Sequence, residues 1–183
     1  MTLTVPELAQ PGGLSMHLRG ELIEHVKRWD ASRSRSQQTG VGASDIGHAC
    51  TRYIGHVAAK TPRSTQAGDL WPAIVGTSVH EWVLTQAFDG FPAWIVAQRG
   101  VEIFPGVKGT VDLIHLPTGT IIDHKTLGKD AMAAIRSKGP GVQYRTQVHM
   151  YGYGYARRGI DIKHVAIAAW PRSGYMTGKH GLH

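Results

Sequence analysis

Two apolar runs, Val107 to His115 and Thr120 to Thr126, each carry charged residues and are separated by Pro117-Thr118-Gly119. A breaker of that composition between two β-rich runs predicts two strands joined by a short turn. The charges are Asp112 on the first run and Asp123 and Lys125 on the second. Strand alternation puts Asp123 and Lys125 on one face and turns His124 away. Each carboxylate breaks a core-like run: Asp112 stands between Val111 and Leu113, and Ile121-Ile122 lead directly into Asp123. A surface ion pair accounts for either group alone. It accounts poorly for both together across one short turn, so the three side chains are expected around one point. Carboxylate oxygens are hard ligands suited to Mg²⁺ or Mn²⁺, and a nearby lysine can steer or activate a water. That is the equipment of a metal-dependent phosphodiesterase.

The hydrophobic period changes near Trp94. Upstream, helical spacing predicts a helix over Leu14 to Trp29, a second opened by Ser44-Asp45 and running to about Lys60, and a third over Trp71 to Phe88 with Pro72 in its first turn. Downstream, Trp94 to Phe104, Val107 to His115 and Thr120 to Thr126 read as three strands of a meander. A short helix over Lys129 to Ser137 follows. Val142 to Arg158 reads as a helix, although Tyr151, Tyr153 and Tyr155 alternate with glycines as they would on a strand. Interior glycines weaken a helix by about 1 kcal/mol each, so length and the preceding spacing decide for helix. Val165 to Trp170 is a last, buried strand. The class is α/β, with helices, a three-strand meander, a helix and a further strand. A chain of 183 residues is one domain in all: an arm, helix and polar connection over 1–43, then the functional domain over 44–183.

Twenty Lys and Arg against 13 Asp and Glu give a net charge of +7, which favours an anionic partner such as nucleic acid. Cys50 is the only cysteine, so no intramolecular disulfide forms. No run approaches 18 apolar residues and the N-terminus lacks a signal pattern, so a cytoplasmic protein without membrane contact is expected. No His-Glu-x-x-His or paired-cysteine spacing supports a zinc hydrolase.

The set Gly76-x-x-x-His80, Gly109-x-x-Asp112, Asp123-x-Lys125 and Gln147-x-x-x-Tyr151 resembles the RecB-type branch of the PD-(D/E)XK nuclease superfamily. Within it, the likeness is to the small exonucleases of CRISPR loci and phage genomes, and it runs from about Ser44 to Trp170. The resemblance implies a restriction-endonuclease-like core, a central mixed sheet flanked by helices. It also implies roles. Asp112, Asp123, the ring of His80 and the backbone carbonyl of His124 would hold Mg²⁺ or Mn²⁺, with the histidine making Mn²⁺ as credible as Mg²⁺. Lys125 would orient the attacking water, and Gln147 and Tyr151 would line the strand groove and support substrate or lysine. Tyr144, Arg145 and Arg52 are the further candidates for contacts to DNA.

The implied activity is a metal-dependent DNA exonuclease acting on single strands or ends in phage or bacterial recombination, repair or replication. The alternatives are a non-catalytic nucleic-acid-binding subunit that kept the fold, or a structure-specific endonuclease. One departure matters. Ser44, Cys50 and Arg52 match the early element of the iron–sulfur members, but no later cysteine exists, so no such cluster is expected. Cys50, near His48 and His56, reads as a buried structural cysteine rather than a zinc ligand. The chain also stops soon after the last strand, where members of the family commonly continue into another helix.

Overall fold

A computed structural model describes residues 13–32, 40–61, 69–90, 92–96 and 100–173. The expected N-terminal arm, most of the polar connection and the chain after Ser173 lie outside the described residues. The chain divides into two units, Met1–Gln38 and Thr39–His183. The first contains α1 (Gly13–Ser32), in which Lys27 and Glu24 pair at 2.7 Å one turn apart and the Ser32 hydroxyl caps the carbonyl of Trp29.

In the second unit the strands do not form one meander. The described residues of each of the first two expected strands are divided between two sheets. β1 (Trp94–Val96), β4 (Leu113–His115), β5 (Thr120–Leu127) and β6 (His164–Pro171) form a four-stranded sheet in that order. β2 (Val101–Phe104) and β3 (Val107–Gly109) form a separate hairpin. The physical reason is a change of partner. β3 pairs with β2, β4 pairs antiparallel with both β1 and β5, and Thr110–Asp112 is the switch between them. β5 and β6 are parallel, Asp123 opposite Ile167 and Lys125 opposite Ala169. The sheet is therefore mixed, as expected.

The second expected helix also shortens. Asp45 does not cap a helix. Its two carboxylate oxygens accept the Gly42 N–H at 2.9 Å and the Tyr53 hydroxyl at 3.1 Å, which fixes a turn instead. α2 then covers only Thr51–Ala58. Ala43, inside that turn, is buried and donates its N–H to the carbonyl of Lys108 on β3. The third helix runs as α3 (Trp71–Ser78), a π-helical segment Val79–Leu84 and α4 (Thr85–Phe88). α5 (Lys129–Lys138) and α6 (Val142–Ala156) lie close to the expected ranges.

The core sits between α6, the hairpin and the sheet. Val101, Ile103, Val111, Ile114, Ile121, Tyr151 and Tyr155 are buried together, each large apolar side chain contributing about 1.5–3 kcal/mol. Gly109 explains its place in the motif by close approach. A Cβ there would run into the Tyr151 ring and come within 3.0 Å of Ala43 Cβ. Both neighbours are buried and neither can retreat. Gly109→Ala is expected to lose about 1–3 kcal/mol in urea unfolding. Gly55→Ala, on α2 with nothing within 4 Å of its Cβ, should be neutral or slightly stabilising.

Candidate active site

The site forms where β4 leaves β5. The two strands pair only as far as Ile122, opposite Leu113. Beyond it, no strand among the described residues pairs with β5 on the β4 side, and Asp112 stands just before the first paired residue. Asp112 Oδ2 accepts the backbone N–H of His124 at 2.6 Å, and its Oδ1 lies 2.6 Å from His80 Nε2. One carboxylate thus joins a backbone donor on β5 to a side chain on the π-helical segment.

The π segment makes this possible. Such a turn absorbs one extra residue into a helix and shifts its phase. His80 and Phe88 would stand roughly 80° apart on an unbroken α-helix, and roughly 20° with one residue absorbed. Both face the His124 ring, His80 edge-on at 6.2 Å and Phe88 stacked at 6.0 Å between centroids. The Thr85 hydroxyl donates to the His80 carbonyl at 3.0 Å, steadying the widened turn.

On the other face of β5, Lys125 Nζ lies 2.6 Å from Asp123 Oδ2. This is a close charge contact rather than a directed hydrogen bond, and Asp123 Oδ2 is buried without accepting one. Burial pushes the Asp123 carboxyl up to about 6 against the opposing pull of Lys125, and the Asp112 charge pushes it further the same way. The Lys125 ammonium also sits 5.3 Å from the centre of the Tyr144 ring. One turn on, Gln147 Nε2 donates to the Tyr151 hydroxyl at 2.9 Å, both residues being buried. Tyr144, Gln147 and Tyr151 share the inward face of α6, as their spacing requires.

The His124 side chain carries more than a backbone carbonyl. Its ring is buried, and Trp170 Nε1–H donates to its Nδ1 at 2.8 Å. Indole is a donor only, so Nδ1 is the acceptor and the neutral ring keeps its proton on Nε2. Burial pushes the ring down to about 4 although Asp112 pulls it up. Trp170 was not among the expected site residues. It is opposite Thr126 in the parallel register, hence a diagonal neighbour of His124 on the same face. No sequence signal shows that register.

The remaining candidates are dispersed. Arg145 is exposed and, two residues before Gln147, points about 200° away round α6. Arg52 is exposed on α2, and among the described residues no hydrogen bond or ion pair ties it to the cluster. Cys50 is exposed, correcting the expectation of a buried structural residue; its N–H donates to His48 Nδ1 at 3.1 Å. Among the described residues no three His, Cys, Asp or Glu side chains gather as a ready-made cation cage. His80 is paired with Asp112, and Asp123 with Lys125. The donors of His80, Asp112 and Asp123, carboxylate oxygens with one imidazole nitrogen, nonetheless match Mg²⁺ or Mn²⁺. Asp123 Oδ2 is buried with the Lys125 ammonium 2.6 Å away as its cationic neighbour. Among the described residues no helix is long and apolar enough to cross a membrane.

The mixed sheet with helices on it defines an α/β protein, with carboxylates at the point where two strands part. The chain superposes on the crystal structure of an alkaline exonuclease (LHK-Exo) from Laribacter hongkongensis with a TM-score of 0.56 at 13% identity, over 81% of this chain and 77% of that one. No family model and no curated protein sequence matches the chain.

Two opposed pH effects follow from the buried pair of neighbours. The Asp123 carboxyl is raised from 3.8 to about 6, so its share of stability is present below 3.8 and lost as pH rises through 6. The His124 ring is lowered from 6.5 to about 4, so its share is present above 6.5 and lost as pH falls through 4. In wild-type protein, measured in chelator, the two slopes between pH 4 and 6.5 should largely cancel. Asp123→Asn should expose a melting temperature that rises with pH, and His124→Gln one that falls. Parallel pH profiles in the three proteins would refute this assignment.

Proposed function

We propose that the protein is a metal-dependent deoxyribonuclease of the PD-(D/E)XK type, an exonuclease acting on single-stranded DNA or DNA ends. The observation that carries this reading is that two carboxylates stand at the parting of β4 and β5, Asp112 bonded to the His124 N–H and Asp123 paired with Lys125. The likeness to an exonuclease fold and the net charge of +7 support the reaction class and a polyanionic substrate.

Asp112, Asp123, the His80 ring and the His124 backbone carbonyl would hold Mg²⁺ or Mn²⁺. When bound, the cation supplies Lewis-acid stabilisation of the charge that develops on the phosphate. The chain's residues do the positioning. Asp112 is held in one orientation by the His124 N–H, so its oxygens need no reorganisation during reaction. The Lys125 ammonium, held between Asp123 and the Tyr144 ring, would orient the water that attacks phosphorus in line. Gln147 and Tyr151, joined to each other, would line the strand groove, with Tyr151 packed against Gly109.

The decisive experiment compares end-labelled linear and circular single-stranded DNA with Mn²⁺, Mg²⁺ or chelator. Digestion of the linear strand with either metal, and an intact circle, is the expected result. Asp112→Asn and Lys125→Met should each lower the rate by about 10²–10³-fold or more while leaving the protein folded. Cleavage of the circle would make the enzyme an endonuclease. Strand binding with no metal-dependent product would make it a binding subunit.

A further inference from the structure

The outward face of α6 carries an arrangement that neither the core nor the proposed chemistry uses. His149 and Tyr153 each follow an inward residue, Gln147 and Tyr151, by two positions, which turns them about 200° round the helix. Tyr153 is 48% exposed and Phe104, at the end of β2, is 41% exposed. Their ring centres lie 5.5 Å apart, tilted by 36°. Neither belongs to the buried clusters. The Arg157 guanidinium carbon stands 5.7 Å from the Tyr153 ring centre and makes only a long bond, 3.4 Å, to the Ile103 carbonyl. Beside Tyr153 runs an open groove of about 300 Å³ whose polar lining is His149, Lys163 and His164. Lys163 has an exposed partner in Asp161 at 3.2 Å, a pairing that a polyanion readily displaces.

Two half-exposed aromatic rings, one with a guanidinium over it and a basic groove beside it, offer what an unpaired nucleic-acid strand needs. Every base has a π-face to stack, worth about 1–3 kcal/mol, and every phosphate a charge to neutralise. The groove beside the ring adds Lys163, His149 and His164, and the chain carries a net charge of +7, which favours a polyanion over a second protein chain. We infer that Phe104, Tyr153 and Arg157 form a stacking platform for single-stranded DNA, with Lys163 and the groove taking its backbone. The platform lies on the far side of α6 from Gln147, so it holds a stretch of strand other than the one being cut. The identity of the strand rests on the nuclease reading above.

The test uses the full chain in chelator, where nothing is cut, and the fluorescence anisotropy of a labelled oligothymidine of about 30 nucleotides. Tyr153→Ala combined with Phe104→Ser should weaken binding about 10–100-fold, and Tyr153→Phe should bind like wild type because stacking survives. Arg157→Gln should reduce the slope of log affinity against log salt by about 0.7. Hydrolysis of bis(p-nitrophenyl) phosphate with Mn²⁺, too small to reach the platform, should be unchanged in all of them. Unchanged affinity in the double variant overturns the platform. So does unchanged affinity with loss of a self-associated species in sedimentation, which would assign the patch to a second copy of the chain. Binding that depends on the aromatic pair in a protein that cleaves neither substrate keeps the platform and discards the nuclease reading.

Discussion

The backbone N–H of His124 lies past the end of the β4 pairing, and a carboxylate answers it. A buried backbone donor left unmatched costs about 1–3 kcal/mol, so a sheet that loses a neighbour in mid-strand needs an acceptor at that point. Asp112 meets the need because it is the last residue before β4 resumes pairing. Its position is therefore a demand of the fold before it is a convenience for chemistry. Once Oδ2 is committed to β5, Oδ1 points towards the helical side, where His80 meets it. The orientation of both oxygens follows from one hydrogen bond.

The charges around that bond do not balance comfortably. Asp112 and Asp123 repel each other, and Asp123 is buried deeply enough to resist ionisation near pH 6. Lys125 offsets part of this, but the His124 ring is held neutral by its burial and adds no positive charge. A buried site short of cations is unfavourable to the fold and favourable to a divalent ion, the two being one electrostatic fact seen from opposite sides. The Trp170 indole matters here because it meets the nitrogen of His124 that would otherwise seek a proton.

The shared faces of the proposed site residues were legible because their spacing reflects local geometry. Asp123 and Lys125 share a face by strand period, and Gln147 and Tyr151 share one by helical period. Asp112 was legible as a charge in an apolar run. What the sequence did not reveal was partner exchange. Val107 to His115 looks like one strand because both halves are apolar, and only tertiary pairing shows that Gly109 ends one sheet and Leu113 enters another. Trp170 stayed hidden for a related reason: parallel register is set by a crossover through α5 and α6, not by any local turn. The widened turn at Val79–Leu84 was equally silent, since its residues fit an ordinary helix.

The alternation Tyr151-Gly152-Tyr153-Gly154-Tyr155, which competes with helix on the page, becomes intelligible once α6 is seen to serve two faces. Tyr151 and Tyr155 turn inward to the core, and Tyr153 turns outward. Gly154 lies against β2, where a Cβ would come within 3.1 Å of Val101 and 3.2 Å of Ile103. Its missing side chain seats the helix close on the hairpin, at the expense of some helical propensity. That closeness also brings the end of β2 to the outward face of α6, so that Phe104 and Tyr153 meet. The same packing that presses Tyr151 into Gly109 beneath the carboxylates assembles the exposed aromatic pair on the far side. Widening the gap at Gly154 with a methyl group would strain both faces together, because one helix-to-hairpin distance sets them both.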